Sequence, residues 1–286
     1  LFNYHYFQKQ YESSIVKNND EEKTKQLKKL VTPFILRRNK KEVLKELPDK
    51  IEQNMILPFS DEEEKIYVAN LAKVNEELQQ LYDIEGSDKM QILKMLTRLR
   101  QLCLEPRLVY DNIDQPSSKL KACMELIKTM QENKQKVLLF SSFTSALDLI
   151  AEECQKAGIT YYMLTGSTNK EERRELVSRF QKDDTTLFLI SLKAGGTGLN
   201  LTSAENVIHY DPWWNVSAQN QATDRAYRIG QKSNVQVFNL VMKDSVEEKI
   251  IEMQKRKKEL ADMFVENNSG GLSQMSKEDI LSLFTM

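Results

Sequence analysis

The stretch "KVLLFSSFTSALDLIAEECQKAGITYYML", residues 136–164, decides the fold of the second half of the chain. It begins with a run that is apolar throughout, residues 137–140, continues with apolar residues at helical spacing, and ends in another apolar run, residues 160–164. A strand that is apolar on both of its sides belongs to a sheet that is covered on both faces. A helix between two such strands is typical of a parallel sheet. The stretch therefore predicts a strand-helix-strand unit.

The same alternation continues towards the C-terminus. Three more apolar runs follow at residues 186–190, 206–210 and 235–241, separated by helical patterns and a glycine-rich loop. We therefore predict an α/β fold, with an open parallel sheet over residues 118–243 and helices on both of its faces. Ligands of such sheets bind beyond the carboxyl ends of the strands, so the loops that follow the apolar runs are expected to gather at one edge.

Residues 1–117 have a different pattern and predict an all-helical region. Apolar residues recur there at helical spacing, and Ser60 with Glu63 predicts a capping box at a helix start. Residues 51–59 are the exception, a short extended piece. The segment "DNIDQPSS", residues 111–118, is the best candidate for a linker.

Composition adds limits rather than a function. The chain has 286 residues, 40% of them apolar, and a net charge of -1, so the bulk charge gives no indication of nucleic-acid binding. The three cysteines lie far apart without CxxC spacing, which argues against a zinc site or a disulfide framework and favours a reducing compartment. The N-terminus has neither an initiator Met nor a signal-peptide core, and we expect a piece of a longer protein without a membrane span.

The loop "SLKAGGTGLNLT", residues 191–202, follows an apolar run and falls at the predicted binding edge. Gly195, Gly196 and Gly198 allow backbone N–H groups to approach a phosphate or a sugar closely. A tight turn explains these glycines about equally well, since the loop does not fit GxGxxG.

The segment "QNQATDRAYRIGQK", residues 219–232, places Arg225 and Arg228 three residues apart. We expect them to share one helix face near the glycine loop, where guanidinium groups would stabilise the charge of a transferring γ-phosphoryl group. A plain solvated helix face is the alternative. Four polar neighbours are expected to hold the two arginines in place: Gln219, Asn220, Gln221 and Asp224.

One absence constrains this interpretation. The sequence contains no GxxxxGK[ST] motif and no acidic pair directly after an apolar run. These are the parts that grip the phosphates and the Mg²⁺ of ATP in P-loop enzymes. If Arg225 and Arg228 act on a phosphoryl group, the nucleotide that carries it must therefore be bound mainly by another domain or protein.

Five segments together resemble the C-terminal half of the Snf2-family ATPases, which are superfamily 2 DNA translocases, with bacterial members the most similar. The resemblance covers about residues 24–265. It rests on "PFILRRNKKEVLKELPDK", "LLFSSFTSALDLI", "LTGSTNKEERRELVSRFQ", "SLKAGGTGLNLTSAENVIHYDPWWN" and "QATDRAYRIGQ". In that family two RecA-like lobes close on ATP, and the first lobe carries the P-loop and the acid that binds Mg²⁺.

The resemblance implies a RecA-like sheet and a division of the chain into four parts. Residues 1–50 would be the tail of the first motor lobe with a helical protrusion, and residues 51–117 the protrusion of the second lobe with a linker. Residues 118–243 would be the helicase C-terminal lobe, and residues 244–286 the C-terminal brace helices.

The resemblance also implies site residues. Arg225 and Arg228 match the two arginines that reach the γ-phosphate, and Gly196, Gly198 and Gln221 fall at nucleotide-binding positions. Backbone contacts to the DNA tracking strand are implied for Ser142, Thr165, Gly166, Lys193 and Thr197. No metal ligand is implied in this chain. Four positions depart from the usual family residues, which puts loop shape in question: Ser142, Val216, Gln219 and Tyr227.

The implied function is the second motor lobe of an ATP-dependent double-stranded DNA translocase or remodeller. ATP and Mg²⁺ would be held mainly by the missing N-terminal motor lobe, so the chain alone is expected to be inactive. The implied partners are double-stranded DNA, that lobe and possible protein cargo, with no membrane. The implied location is the cytoplasm, at the nucleoid of a bacterium, or the nucleus of a eukaryote. Two alternatives stay open: a protein-binding module with vestigial motor residues, and, more weakly, a dinucleotide-dependent oxidoreductase.

Three further residues have predicted structural roles. The adjacent pair Trp213 and Trp214 favours a packed platform over a base-stacking site, so at least one of the two should be mostly buried. His209 lies in an apolar run and is expected to be a core residue rather than a catalyst.

Overall fold

The computed structural model describes residues 4–12, 15, 20–31, 47–82, 89–195 and 198–263. The chain forms two compact units, one of Leu1–Lys45 with Arg256–Asn268 and one of Glu46–Lys255 with Ser269–Met286. The described part of the first unit contains helix α1 (Tyr4–Phe7), a π-helical turn (Gln8–Glu12) and helix α2 (Glu21–Val31). The predicted final helix from Ser276 lies outside the described residues.

The second unit is built on a six-stranded sheet in which every adjacent pair of strands is parallel. In chain order the strands are β1 (Lys50–Leu57), β2 (Val137–Ser141), β3 (Tyr161–Leu164), β4 (Leu187–Ser191), β5 (Asn206–His209) and β6 (Val235–Met242). Their order across the sheet is β1-β6-β5-β2-β4-β3. The predicted parallel α/β sheet and its five apolar strands are confirmed.

The short extended piece predicted at residues 51–59 forms a strand over residues 50–57, and its place in the sheet was not predicted. This segment is β1, an edge strand that runs beside β6 from the pair Lys50 and Val235 to the pair Leu57 and Met242. Most of its side chains are exposed, including that of Ile51. The segment therefore lacks the continuous apolar run that marks the inner strands, and its partner lies far away in the sequence.

Eight α-helices begin in the described part of this unit and connect and cover the strands, and the last of them belongs to the first unit from Arg256 onward. They are α3 (Asp61–Tyr82), α4 (Lys89–Leu104), α5 (Ser118–Glu132), α6 (Thr144–Lys156), α7 (Lys170–Phe180), α8 (Leu192–Gly195), α9 (Val216–Thr223) and α10 (Val246–Met263). The predicted capping box opens α3, because Ser60 N donates to Glu63 Oε2 at 2.7 Å and Glu63 N donates to Ser60 Oγ at 3.4 Å. In the described ranges, no helix combines the length and the apolar character that crossing a bilayer requires.

The sheet is buried on both faces, as the apolar runs predict. Along β2, Val137 and Leu139 pack on the side of α5 and α6, and Leu138 and Phe140 pack on the side of α9. A third apolar cluster joins α3 and α4 to Trp214 and the start of α10. Because burial of apolar area contributes roughly 25 cal/mol per Å², these contacts are the main source of stability.

The predicted linker is tied down at its end. Ser117 N donates to the buried carboxylate of Glu105 at 2.9 Å, and Ser118 N donates to Glu63 Oε1 at 2.7 Å. Glu63 therefore caps α3 and also fixes the start of α5. These bonds join α3, α4 and the sheet into one compact unit.

A buried ion pair fixes α10 to the sheet. Lys119 Nζ donates to Glu247 Oε1 at 2.7 Å, to Glu247 Oε2 at 2.6 Å and to Tyr210 O at 3.0 Å. Both side chains are at most 1% exposed. Burial raises the pKa of Glu247, while Lys119 and the N–H of Met242 act in the opposite direction. The pair joins the N-terminal turns of α5 and α10 to the end of β5.

We predict that Lys119→Met lowers the free energy of unfolding by about 3–5 kcal/mol, because it leaves the Glu247 carboxylate buried without its partner. Replacing both residues, Lys119→Met with Glu247→Leu, should recover most of that loss. Urea unfolding at neutral pH measures both effects. Lys121→Met is the control, since Lys121 is exposed on the same helix. A similar loss in the control would contradict the assignment.

Candidate functional site

The segments that follow four adjacent strands lie at one edge of the sheet. Strands β3, β4, β2 and β5 are neighbours and parallel, so their carboxyl ends share that edge. The following segments carry Thr165, Lys193, Ser142 and Asp211. The predicted gathering of loops at this edge is confirmed.

The glycine loop begins with the short helix α8 at the end of β4. Gly195 packs against β2, where an added Cβ would lie 3.1 Å from Phe140 Cε1, closer than side chains normally approach. Gly198 has a φ of +41°, in the left-handed region that glycine adopts without strain. Lys193 is exposed. Two predicted site residues, Gly196 and Thr197, lie outside the described residues.

Arg225 and Arg228 do not lie on a helix, and this part of the prediction is wrong. Helix α9 ends at Thr223, and both arginines lie in the turns that follow. The carbonyl of Arg225 accepts a hydrogen bond from Leu201 N at 3.0 Å instead of one from the next helical turn. The backbone of Arg225 is therefore bonded to the end of the glycine loop and does not continue α9.

The Arg225 side chain is held against the glycine loop. Its Nε donates to Gly195 O at 2.9 Å, so side chain and backbone of Arg225 contact both ends of the loop. Burial and the positive charge of Arg228 lower the pKa of Arg225, and Asp224 opposes them. Arg228 itself is exposed. Two neighbouring guanidinium groups at a glycine loop form a site suited to an anion.

A third arginine at this loop was not identified from the sequence. Arg173 of α7 donates through Nη1 to Ala194 O at 3.3 Å. Two guanidinium groups therefore contact successive carbonyls, those of Ala194 and Gly195, where α8 ends. A cation at a helix C-terminus complements the partial negative charge of the last carbonyls.

The predicted support of the arginines by neighbouring amides is wrong for Gln219. Its buried side chain donates to Asn239 Oδ1 at 3.0 Å and accepts from Trp213 N at 3.2 Å and from Gln254 Nε2 at 3.0 Å. Gln219 therefore fixes α9 to β6 and α10. Asn220 and Gln221 are exposed, and Asp224 is the neighbour whose charge acts on Arg225.

The residues predicted to contact DNA have different environments. Gly166 is exposed in a turn, and next to it Thr165 Oγ1 lies 2.8 Å from Ser167 Oγ. The Ser142 hydroxyl is engaged within the protein, because it accepts a hydrogen bond from Arg100 Nη2 at 2.8 Å and also bonds Asp211 Oδ2. Thr165 and Gly166 thus present a turn to the surface, while Ser142 is part of an internal network.

Arg100 and Asp211 form that network, and sequence reasoning missed both. They make a buried ion pair of 2.7 Å between α4 and the segment after β5. A signal was present in the sequence, because Arg100 lies on the apolar face of α4, four residues after Leu96 and three before Cys103. A charged residue on an apolar face indicates a buried partner.

The predicted burial of at least one tryptophan and of the histidine is confirmed. Trp214 is buried and Trp213 is half-buried. His209 is buried, its Nε2 is hydrogen-bonded to Thr223 Oγ1 at 2.9 Å, and its ring stacks on Phe140. Burial lowers the pKa of His209 to about 4, against the negative charges of Glu52 and Asp211.

The donor set at the glycine loop suits phosphate oxygens rather than Mg²⁺. Two arginine side chains bond the carbonyls of Ala194 and Gly195 in the loop, and guanidinium groups donate and cannot ligate a metal. Within the described ranges, no group of three or more His, Cys, Asp or Glu side chains is placed to hold a metal ion.

The fold and the site define a RecA-like α/β domain with an arginine-lined glycine loop at the carboxyl edge of its sheet. Residues 1–108 match the SNF2-related domain, and residues 118–230 match the helicase conserved C-terminal domain. The chain belongs to the Snf2 family.

Individual proteins that are similar to this chain carry names that fit the same family. The chain is 37% identical to the Bacillus subtilis protein YwqA, whose name describes an ATP-dependent helicase/translocase, over 98% of this chain and 31% of that protein. It is 35% identical to an uncharacterized ATP-dependent helicase of Mycoplasma pneumoniae, over 96% of this chain and 26% of that protein. The chain thus spans about a quarter to a third of the length of these curated relatives.

A solved structure shows the same architecture. The SWI2/SNF2 ATPase core of Sulfolobus solfataricus in complex with double-stranded DNA matches with a TM-score of 0.67 and 31% identity. The match covers 98% of this chain and 60% of that one.

We predict that Gly198→Ala lowers the free energy of unfolding by about 1 kcal/mol, since its positive φ is strained for any residue with a Cβ. Gly166→Ala is the matched control, because an added Cβ meets nothing within 4 Å at either position and only Gly198 has a positive φ. The control should change the stability by less than about 0.5 kcal/mol. Urea unfolding compares the two, and equal effects would exclude the backbone explanation.

We also predict a stability loss in acid that depends on His209. Its pKa falls from 6.5 to about 4 on folding, so between these values the unfolded chain binds a proton that the folded chain does not. The free energy of unfolding therefore has its full value, as far as His209 is concerned, above about pH 6.5 and declines as the pH falls towards 4. The loss from neutral pH to about pH 5 should be about 2 kcal/mol larger in the natural protein than in His209→Asn, measured by urea unfolding. Parallel pH curves for the two proteins would contradict this assignment.

Proposed function

We propose that this chain acts as the second motor lobe of an ATP-dependent double-stranded DNA translocase. The observation that carries the proposal is Arg225, whose side chain is held to Gly195 O beside the exposed Arg228 at the carboxyl edge of the sheet. A first lobe with a P-loop would supply the grip on ATP that this sequence lacks. The names of the relatives, ATP-dependent helicases and a DNA-bound ATPase core, support this function.

The role of the two arginines is electrostatic. Phosphoryl transfer needs little covalent help from the protein, and its catalysis consists of positioning and of charge stabilisation. The bond from Arg225 Nε to Gly195 O fixes the guanidinium relative to the loop, so little reorganisation is needed when charge develops on the γ-phosphoryl oxygens. When bound, ATP with Mg²⁺ supplies the transferring phosphoryl group. Gly196, Gly198 and Gln221 are proposed to border the nucleotide.

The DNA contacts are proposed at the same edge, on the phosphate backbone. Thr165, Gly166 and Lys193 lie in segments that follow β3 and β4, and Gly166 and Lys193 are exposed. Thr197 belongs to the adjacent glycine loop. Hydroxyls, backbone N–H groups and lysine bind phosphates without reading sequence, which suits a protein that moves along DNA. Ser142 contributes through its loop, because its hydroxyl bonds Asp211.

The wider setting follows from this function. The proposed partners are double-stranded DNA, a first motor lobe and a protein cargo, and the proposed location is the cytoplasm, at the nucleoid, or the nucleus in a eukaryote. Residues 1–50, 51–117, 118–243 and 244–286 keep the four roles that the family resemblance implies.

We predict that Arg225→Ala with Arg228→Ala in the full-length ATPase lowers DNA-stimulated ATP hydrolysis by about 10³-fold or more. The affinity for DNA should change by less than about threefold, because these arginines face the nucleotide. A steady-state ATPase assay and a fluorescence binding assay measure the two quantities. Arg174→Ala is the matched control, an exposed arginine on α7.

An unchanged rate of ATP hydrolysis in the double variant would contradict the motor assignment and favour a protein-binding module with vestigial motor residues. The isolated chain is expected to show no DNA-stimulated hydrolysis, and turnover at the rate of a complete motor would show that ATP is bound productively without the first lobe.

A further inference from the structure

The side chain of Arg100 joins three separate segments of the fold. It leaves α4 and is 5% exposed. Its Nη2 donates to Asp211 Oδ2 at 2.7 Å, to Ser142 Oγ at 2.8 Å and to Pro212 O at 3.4 Å. Ser142 lies in the loop after β2, and Asp211 and Pro212 lie in the segment after β5. One guanidinium therefore connects the helices before the sheet with two segments at its binding edge.

Aromatic rings enclose this guanidinium. Its central carbon lies 4.5 Å from the ring centroid of Trp214, 4.8 Å from that of Phe143 and 5.4 Å from that of Trp213. Burial lowers the pKa of Arg100, and the charge of Asp211 opposes that shift. An arginine remains charged in such a site, so the positive charge interacts with the ring faces as well as with the carboxylate.

The Asp211 carboxylate, which Arg100 binds, also binds the loop after β2. Its Oδ1 accepts from Ser141 Oγ at 2.7 Å and from Ser142 N at 3.0 Å. The carboxylate thus fixes the backbone of the loop, and Arg100 fixes the carboxylate. Apolar side chains in place of both Arg100 and Asp211 would fill the space without burying a charge. Unlike an apolar side chain, the Arg100 guanidinium makes hydrogen bonds in fixed directions to Asp211 and Ser142.

We propose that Arg100 is a positioning residue that locks the loop after β2 to the segment after β5, and that helix α4 sets the affinity for DNA through this lock. The DNA part rests on the proposed function. The lock itself does not, because it concerns the geometry of Ser142 and Asp211 in the absence of DNA.

The test compares Arg100→Lys with Arg98→Lys. Lysine keeps the charge but is a compact point charge, so it cannot bond Asp211 and Ser142 together while lying flat between the rings. Arg98 is on the same helix, and its guanidinium donates to Asn70 Oδ1 at 2.9 Å and to Tyr110 Oη at 3.2 Å. In Arg100→Lys, amide hydrogen exchange at residues 141–143 should accelerate by about tenfold, with β4 unchanged.

A second readout separates positioning from general damage. In the full-length ATPase, Arg100→Lys should raise the DNA concentration that gives half-maximal stimulation by about tenfold and leave the KM for ATP within about twofold. Arg98→Lys should leave both values and the exchange at residues 141–143 unchanged. If Arg100→Lys does not fold, the neutral pair Arg100→Gln with Asp211→Asn leaves no buried charge unpaired and is measured in the same way.

The outcomes decide the two proposals independently. Unchanged exchange at residues 141–143 in Arg100→Lys, or in the neutral pair, overturns the lock. Faster exchange with unchanged DNA half-saturation supports the lock, overturns its control of DNA affinity and counts against the DNA role of this loop. Failure of the arginine test on Arg225 and Arg228 would leave the exchange result unaffected.

Discussion

The segment that leaves β5 is the constraint on which the rest of the structure depends. Two consecutive residues of this segment are bound by cations from two different helices: Lys119 of α5 donates to Tyr210 O, and Arg100 of α4 donates to the Asp211 carboxylate. Each cation also has a buried carboxylate partner, Glu247 or Asp211. Since each of these charges needs its partner, α4, α5, α10 and the end of β5 hold one common arrangement.

The inner sheet was predictable because its strands carry their own signal. A strand such as β2, covered on both faces, is apolar at nearly every position, and that pattern is visible over four residues of sequence. β1 does not have this pattern, because it is an edge strand with mostly exposed side chains and a single neighbouring strand. Its pairing with β6 joins residues that are distant in sequence, and local periodicity carries no information about such a pair.

The site was predictable in its residue types and its place, and less so in its geometry. The order of the strands brings the glycine loop and Arg225 to one edge, and the hydrogen bond to Gly195 O shows that they meet. The helical spacing of Arg225 and Arg228 was misleading, because a tertiary bond from Leu201 ends the helix before them. Gln219 was predicted to hold the arginines and Ser142 was expected from the resemblance to contact DNA, and the side chains of both make hydrogen bonds within the protein.

These internal bonds join the two parts of the edge that are proposed to bind DNA and the nucleotide. Asp211 fixes the loop of Ser142, and two residues later the N–H of Trp213 binds the side chain of Gln219 on α9. Helix α9 then ends directly before Arg225, whose Nε holds the glycine loop. A short series of partly buried polar contacts therefore joins the loop after β2 to Arg225. A buried polar group without its partner costs free energy, so these contacts change together rather than singly. An edge built in this way has few intermediate arrangements, which is the property that coupling between DNA and nucleotide requires.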